Sequence, residues 1–227
     1  MNLFSKMSIL LKIDFCKTLL FNFNCFPIRQ AMLFPVFVFR RTKIKSIGKI
    51  IPPKKGIRTG MIQIGGYGLG IQDSYYSRTI WDCQGEVIFR GKASIGRGCK
   101  ICVNREGVLS FGDNIMITGR CEFICSLSMS FGDNSLLSWD ILIMDTDFHK
   151  ILNQAGKQVN APLPVVIGNN VWIGCRSTIL KGVCISDNSV VCANSTLIRH
   201  NYQDQNVLIG GHGGHCTVLK KEIVWAK

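Results

Sequence analysis

A histidine preceded by two acidic residues is the arrangement in this chain with the clearest chemical use. The segment reads Asp145-Thr146-Asp147-Phe148-His149. Because histidine titrates near neutral pH, His149 is a candidate general base that takes a proton from a hydroxyl group. Asp145 or Asp147 would fix the tautomer of its ring and raise its basicity. A loop histidine can also simply cap a turn, so the elements around this segment must decide between the two interpretations.

A six-residue repeat surrounds the segment. Each hexad opens with a bulky apolar residue, and the side chain four positions later is usually small, as at Ala93, Cys99 and Ser195. Residues two apart in an extended segment share a face, so each hexad supplies one large and one small inward side chain. Glycine follows many openers and is expected to supply the positive φ of a corner. The fifteen openers are Phe89, Ile95, Ile101, Phe111, Ile117, Phe123, Phe131, Leu137, Ile143, Ile167, Ile173, Ile179, Ile185, Val191 and Leu197.

This period predicts an all-β solenoid rather than the alternative, a β-sandwich with glycine-rich turns. Three hexads complete one triangular coil of eighteen residues, and stacked coils bury one continuous core. Short apolar segments around Ile62 and Ile80 suggest one further, irregular coil ahead of the regular ones. The regular coils are expected at 89–106, 111–128, 131–148, 167–184 and 185–202.

The repeat is interrupted only between complete sets of three hexads. The breaks follow Glu106, Ser128 and Phe148 and insert four, two and eighteen residues. The longest insertion, 149–166, is predicted to project from the prism as a loop, with His149 at its root. Long loops on rigid scaffolds commonly carry function.

The first sixty residues are strongly basic. They hold twelve Lys and Arg against one acid, Asp14, in a chain of net charge +13. Charges interrupt the apolar stretches, which disfavours a membrane-spanning helix and a signal peptide. The segment is expected to cap the solenoid, to contact an anionic membrane face, or to do both. Nucleic-acid binding is disfavoured because no recognised module is present.

The eleven cysteines include one Cys-x-x-Cys, from Cys99 to Cys102, but no second one to pair with it. Cys99 and Cys121 fall in the small inward position, where cysteine serves as a compact apolar residue. The odd count and the lack of a secretory signal indicate a reducing compartment. A less favoured alternative is a zinc site built from Cys102, Cys125, Cys184 or Cys192.

The motifs that follow the loop resemble those of the hexapeptide-repeat acyltransferases. They are Gly168-Asn169-Asn170-Val171-Trp172-Ile173-Gly174, Ile179-Leu180-Lys181-Gly182-Val183 and Ala193-Asn194-Ser195. Together with the segment from Asp145 to His149, they resemble the branch that O-acetylates sugars and surface polysaccharides. The resemblance has motif strength from Asp145 to Lys220 and consists only of hexads elsewhere.

This resemblance implies a left-handed parallel β-helix that assembles as a homotrimer, with active sites between subunits. It implies acetyl-CoA as donor, a sugar or glycan acceptor, no metal, and direct transfer with His149 as base. The expected organisation is an N-terminal helical or irregular cap at 1–60, an acyltransferase domain at 61–205 and a tail at 206–227. We expect a cytoplasmic protein, with peripheral contact to the inner membrane face as an open alternative.

The resemblance also assigns individual cofactor contacts. Trp172 and Gly174 would line the donor channel, and the Gly174 N–H would stabilise the oxyanion. Further candidates are Ala193 and Ser195 for the pantetheine arm, Arg199, Lys220 and Lys221 for the CoA phosphates, and Asn160 for a sugar hydroxyl.

Two departures from the family pattern concern the donor. Gly213-Gly214-His215-Cys216-Thr217 stands where the family often has Gly-Asn-Pro-Ala-Lys, which alters the expected phosphate contact. Cys192-Ala193-Asn194-Ser195 stands where Gly-Ala-Gly-Ser is usual, which narrows the donor path.

Other functions remain as alternatives. The same histidine would also serve N-acylation of an amino-sugar nucleotide. A non-catalytic β-helix scaffold would not need a histidine at the loop root. A zinc hydratase needs three converging histidines, and His200, His212 and His215 all lie at or beyond the final coil.

Overall fold

Three β-sheets form the faces of a triangular prism in the computed structural model, which describes residues 11–54, 56–73, 75–211 and 215–226. Successive strands enter sheets 1, 2 and 3 in turn, so that every third strand returns to the same sheet. Neighbouring strands are parallel except for the last pair of sheet 1. The protein is therefore the predicted all-β solenoid, a left-handed parallel β-helix.

The strands are short, as hexads require. Sheet 1 contains β1 (Val36–Val38), β4 (Ile62–Ile64), β7 (Ala93–Arg97), β10 (Ile115–Gly119), β13 (Leu136–Trp139), β16 (Trp172–Ile173), β19 (Val190–Val191), β22 (Leu208–Gly210) and β23 (Thr217–Lys220). Sheet 2 contains β2 (Thr42–Ser46), β5 (Thr79–Cys83), β8 (Lys100–Val103), β11 (Glu122–Cys125), β14 (Leu142–Met144), β17 (Thr178–Ile179) and β20 (Thr196–Leu197). Sheet 3 contains β3 (Lys49–Ile51), β6 (Glu86–Phe89), β9 (Val108–Phe111), β12 (Ser128–Phe131), β15 (Val165–Ile167), β18 (Cys184–Ile185) and β21 (Asn201–Tyr202).

The hexad openers form the core in register from coil to coil. All fifteen predicted openers are at most 2% exposed. In sheet 3, Phe89 pairs with Phe111 and Phe111 with Phe131. Their rings stack with centroids 5.6 Å apart at both steps. The predicted inward pattern is confirmed, including the buried small side chains of Cys99 and Cys121.

Glycines after the openers serve close packing rather than a left-handed turn. A Cβ atom on Gly96 would lie 2.2 Å from the carbonyl oxygen of Thr118 in the next coil. The prediction that these glycines adopt positive φ is therefore wrong. Asparagines two positions later take that conformation because their short polar side chains tolerate it. They include Asn114, Asn134, Asn170, Asn188 and Asn194, with φ between 51° and 59°.

The solenoid begins before residue 61, where the predicted β-helix boundary lies. Strands β1 to β3 form a complete coil ahead of the expected irregular one. Basic residues of this coil point outward, and acids of the following coil pair with them. Lys45 contacts Asp82 at 3.2 Å and Lys49 contacts Glu86 at 2.8 Å. At the other end, β22 and β23 extend sheet 1 into the predicted tail.

Two helices close the first coil. Helix α1 (Phe15–Cys25) begins after Asp14, whose carboxylate accepts the backbone N–H of Lys17 at 3.1 Å. It is followed by the short helix α2 (Ile28–Ala31). The side chain of Asn22 accepts the N–H of Val36 at 3.0 Å and donates to its carbonyl at 2.7 Å. Helix α1 therefore caps the exposed edge of β1 with side-chain hydrogen bonds, as edge strands require.

Two longer excursions leave the coils. One connects β4 to β5 and was not singled out by the hexad pattern; the other connects β14 to β15. The second excursion occupies 145–164, whereas the predicted loop ends at residue 166. The difference arises because Val165 is buried and pairs with Met129 in sheet 3. Within the described ranges, no helix is long and apolar enough to cross a bilayer.

The aromatic stack gives a stability prediction. Phe111 contacts three other rings, so Phe111→Ala should lower the free energy of unfolding by about 3–5 kcal/mol. The matched control is Phe148→Ala, since that side chain is 57% exposed and should cost less than about 1 kcal/mol. Denaturant unfolding followed by circular dichroism measures both changes. Equal costs would show that the core does not depend on this stack.

Candidate active site

The projecting loop is fastened at its root by three polar side chains from separate parts of the chain. Asp147 accepts hydrogen bonds from the Lys181 ammonium at 2.5 Å and from the Asn160 amide at 2.9 Å. The Lys181 ammonium also donates to the backbone carbonyl of Asn160 at 2.8 Å. Lys181 lies one coil further along the same edge of the prism, between sheets 2 and 3. The network therefore ties both ends of the loop to the scaffold.

The same contacts fix the charge state of Asp147. The hydrogen bond from Lys181, followed by that from Asn160, lowers the pKa of the Asp147 carboxyl below its ordinary value. The carboxyl is therefore ionised at neutral pH. Sequence reasoning did not single out Lys181 as a site residue, although it lies inside the quoted Leu-Lys-Gly-Val motif. The signal was the motif itself, which places a lysine on the coil that follows the loop.

His149 presents an exposed side chain on a fixed backbone. Its N–H donates to the carbonyl of Asp147 at 2.7 Å, and its own carbonyl accepts the Asn160 amide at 2.8 Å. The preceding residue, Phe148, has a φ of 62°, which sharpens the turn. Across the described part of the chain, neither carboxylate of the motif hydrogen-bonds the His149 ring. The imidazole is thus available to a ligand.

Asp145 has a structural position. It is 0% exposed and faces inward after the opener Ile143. Its carboxylate accepts the backbone N–H groups of three consecutive residues in the coil below, Ser126, Leu127 and Ser128, at 2.7, 2.9 and 2.7 Å. The expectation that Asp145 orients the ring of His149 is not met, because its oxygens are occupied by this turn. It anchors the strand from which the loop departs.

Asn160 is likewise occupied. Its amide nitrogen donates to Asp147 and to the carbonyl of His149, while its oxygen accepts the N–H of Ile151 at 2.7 Å. The Gln158 amide approaches the same oxygen at 3.4 Å. The side chain therefore holds the loop together, which leaves little capacity for the predicted contact with a sugar hydroxyl.

Two predicted donor-binding residues face the interior. The N–H of Gly174 donates to the carbonyl of Val191 at 2.8 Å, so it is not free to bind an oxyanion. A Cβ at Gly174 would lie 2.5 Å from the amide nitrogen of Ala193, so coil stacking explains the glycine. The side chain of Ser195 is 1% exposed and does not reach a surface channel. For both residues, the close approach of the next coil replaces the expected contact with the donor.

The other predicted donor contacts are accessible but lie apart from one another. Ala193 is exposed on the edge between sheets 1 and 2, whereas Arg199 is exposed on the edge between sheets 2 and 3, near Lys181. Trp172 is 38% exposed on sheet 1, where its ring lies 6.0 Å from that of Trp225. Lys220 is exposed at the end of the same sheet. One copy of the chain therefore brings Arg199 near the root of the loop. Ala193 lies on another edge of the prism, and Trp172 and Lys220 lie on sheet 1.

The remaining candidates are the cysteines and histidines that were considered as metal ligands. All eleven cysteines are free thiols. No group of three His, Cys, Asp or Glu side chains within the described residues is arranged to hold a metal ion. His200 is exposed with its ring 4.4 Å from that of Tyr202. His212, Gly213 and Gly214 lie outside the described residues, as do residues 1–10 of the predicted N-terminal segment.

Comparison with known proteins finds a family model that matches the coils next to the loop. The model described as bacterial transferase hexapeptide (six repeats) matches residues 164–199, which cover coils adjacent to the loop. Within these residues the chain therefore resembles the hexapeptide repeat that this model describes. The repeat in these coils is the one that stacks behind the loop and supplies Lys181 to its root.

Several relatives of this chain bear the names of O-acetyltransferases. It is 26% identical over 136 residues to a putative lipopolysaccharide biosynthesis O-acetyl transferase, WbbJ, of Escherichia coli K12, covering 56% of this chain and 68% of the relative. It is 34% identical over 99 residues to the galactoside O-acetyltransferase of the same organism, covering 40% of this chain and 47% of the relative. The second match thus spans about half of the relative.

A solved structure shares the fold. The crystal structure of the polySia-specific acetyltransferase NeuO superposes with a TM-score of 0.56 at 16% identity, covering 85% of this chain and 79% of that chain. At this identity the likeness concerns the architecture alone. It agrees with the left-handed parallel β-helix described above.

The two aspartates of the motif should differ sharply in their effect on stability. Asp145→Ala leaves three backbone N–H groups without an acceptor in the interior, which should cost about 3 kcal/mol or more. Asp147→Ala removes a partly exposed ion pair and should cost about 1 kcal/mol or less. Thermal and denaturant unfolding of the two variants measures the difference. Similar costs would contradict the structural role of Asp145.

Proposed function

We propose that this protein is an acetyl-CoA-dependent O-acetyltransferase that acts on a sugar hydroxyl of a surface polysaccharide or of its precursor. The observation that carries the proposal is the exposed imidazole of His149 on a backbone fixed from both sides at the root of the projecting loop. The names of the relatives support acetyl transfer to oxygen. A non-catalytic scaffold would not need this histidine at a braced position.

The reaction requires one proton to move twice. An imidazole nitrogen of His149 accepts the proton of the acceptor hydroxyl as the hydroxyl oxygen forms its bond to the acetyl carbon. The carbon–sulfur bond then breaks, and the imidazolium returns the proton to the departing thiolate. The bound thioester supplies the activated acetyl group. Asp147, Asn160 and Lys181 act as positioning residues because they hold the backbone that carries the imidazole.

The surface around His149 suits an anionic donor. Arg199 lies near the root of the loop on the coil after Lys181, and it forms no ion pair with any described carboxylate. Its guanidinium is therefore available for a CoA phosphate. Ala193 leaves the backbone of the edge between sheets 1 and 2 uncovered, which suits the pantetheine arm. Trp172 and Lys220 are retained as candidate contacts on sheet 1.

A complete site requires more than one copy under this proposal. His149 and Arg199 lie on the edge between sheets 2 and 3, whereas Ala193 lies on the edge between sheets 1 and 2. The face of sheet 2 separates the two edges within a single copy. We therefore include the expected homotrimer, in which one edge of a subunit faces the other edge of its neighbour. A cytoplasmic location is part of the same proposal, because the donor is made there.

The acceptor can be tested directly. Glycans from cells with and without the protein, compared by mass spectrometry, should differ by an acetyl group. Mild alkali should remove that group if it is an ester and should leave it if it is an amide. An alkali-resistant difference would replace O-acetylation by the N-acylation alternative. No difference in acetylation would contradict the proposed function.

Removal of the proposed base should abolish most activity. With the unacetylated glycan as acceptor, His149→Ala should lower kcat by about a hundredfold or more, since general-base catalysis contributes roughly 10²–10⁴. The matched control is Arg105→Ala, which removes an exposed side chain between β8 and β9 and should leave turnover unchanged. Release of free thiol from acetyl-CoA measures both. Turnover like that of the unaltered protein in the His149 variant would remove this residue from the mechanism.

A further inference from the structure

Helix α1 is apolar on both faces. Phe21 is buried on its inner face, with its ring 5.3 Å from that of Trp81. On the opposite face, Phe15 is 65%, Leu20 is 51% and Phe23 is 46% exposed. The only charged residue within the helix is Lys17. The inner face explains how the helix caps the solenoid, but capping gives no reason for the apolar outer face.

Neighbouring residues enlarge this outer surface. Phe34 contacts Phe15 and Phe23, with ring centroids 6.4 Å apart in each case, and joins the two ends of the patch. A contiguous exposed apolar patch of this kind marks a surface that contacts a membrane or another molecule. The apolar cap face, as we define it, consists of Leu11, Phe15, Leu20, Phe23, Ile28, Met32 and Leu33, which are 46–69% exposed.

Cationic cavities adjoin the apolar cap face. Two neighbouring cavities of 270 and 370 Å³ share Lys12, Phe39 and Arg97 in their walls. Arg40 and Arg41 line the first, together with Leu11 of the apolar cap face. No acidic residue lines either cavity. Leu11, an exposed residue four positions before the first residue of helix α1, thus also lines the first cavity.

The four cations of these cavities form no salt bridge within the described residues, although Asp14 is close enough to Arg40, and Asp73 to Arg41, for the cation to help lower the pKa of each carboxyl. None of Lys12, Arg40, Arg41 and Arg97 lies in a salt bridge with a described carboxylate. The nearby Asp14 already pairs with Lys17 at 2.7 Å. Arg41 instead lies over the ring of Tyr75, 4.1 Å from its centroid. Four cations without a salt bridge, around two cavities that no acid lines, are complementary to phosphate groups.

We propose that the apolar cap face docks on an anionic phospholipid bilayer, with lipid phosphates entering the cavities lined by Lys12, Arg40, Arg41 and Arg97. Aromatic and aliphatic side chains then occupy the interfacial region while the cations meet the headgroups. A two-fold contact with a second copy is less favourable, because it would bring the same cations of both copies together. The proposal does not depend on the reaction at His149.

Sedimentation with lipid vesicles tests the docking surface. The full chain is mixed with vesicles of phosphatidylcholine alone or of phosphatidylcholine and phosphatidylglycerol at three to one. It should bind the anionic vesicles, and binding should weaken with added salt. Failure to bind anionic vesicles, or equal binding to neutral ones, overturns the proposal. This holds even if another molecule covers the apolar cap face.

Matched variants separate the apolar and cationic contributions. The triple variant Phe15→Gln, Leu20→Gln, Phe23→Gln should lower vesicle affinity at least about tenfold. Its control replaces three exposed apolar residues elsewhere, Leu127→Gln, Leu152→Gln and Val224→Gln, and should bind normally. Unchanged binding of the triple variant excludes the apolar cap face as the contact.

A second variant removes charges and leaves the apolar residues of helix α1 unchanged, so its result does not depend on whether the triple variant folds normally. Arg40→Gln with Arg41→Gln should lower affinity for anionic vesicles by about fivefold for each cation removed. The control, Arg105→Gln with Lys157→Gln, removes two exposed charges from other loops and should have little effect. Equal losses in both pairs would indicate attraction by net charge alone and overturn the assigned cavity. Light scattering gives a second check. If the triple variant forms a smaller assembly than the unaltered protein, a second copy covers the apolar cap face, and the proposal is overturned.

Discussion

Parallel stacking of one coil on the next is the constraint on which the rest of this molecule depends. Each strand uses its backbone groups on the coils above and below, so consecutive coils must keep the same register. The pairing of Ile95 with Ile117, and of Ile117 with Leu137, shows this register in sheet 1. A one-residue slip would turn the large side chains outward. The period of six is therefore a consequence of the backbone ladder as much as of the core.

The same constraint determines where chemistry is placed. Chain can be inserted only at a corner and only if both ends return to the register of the stack. The loop from 145 to 164 meets this condition in two ways. Asp145 bonds the turn of the coil below, and Asp147 bonds Lys181 on the coil beyond. The histidine between loop and scaffold thereby gains a fixed backbone while its side chain stays open to solvent.

The ends of the stack need a different solution, because an open coil leaves one strand of each sheet unpaired. At one end, Thr18 and Asn22 of helix α1 hydrogen-bond the backbone of β1 in place of another strand. At the other end, β23 folds back in antiparallel fashion on β22. The first solution gives the helix one face in contact with the core and another in solvent. That outer face, rich in Phe and Leu and close to arginines that form no salt bridge, is the basis of the inferred membrane contact.

The sequence by itself determined the solenoid, its inward residues and the position of the projecting loop, because each depends on the local period of six. It also located His149 at the root of the loop through a contiguous motif.

Only the tertiary structure decided the roles of Asp145, Asn160, Gly174 and Ser195, since their partners lie on other coils. Asp145 and Ser195 are inward because of stacking, and Gly174 is a glycine because the next coil leaves no space for a side chain. The sequence did not predict the extra coil formed by β1 to β3, because its outward residues are basic and made it look like a separate charged segment. Contacts between coils join residues that are distant in sequence, such as Ser128 and Asp145, which are seventeen positions apart. A local pattern therefore determines which residues face inward but not what each one contacts.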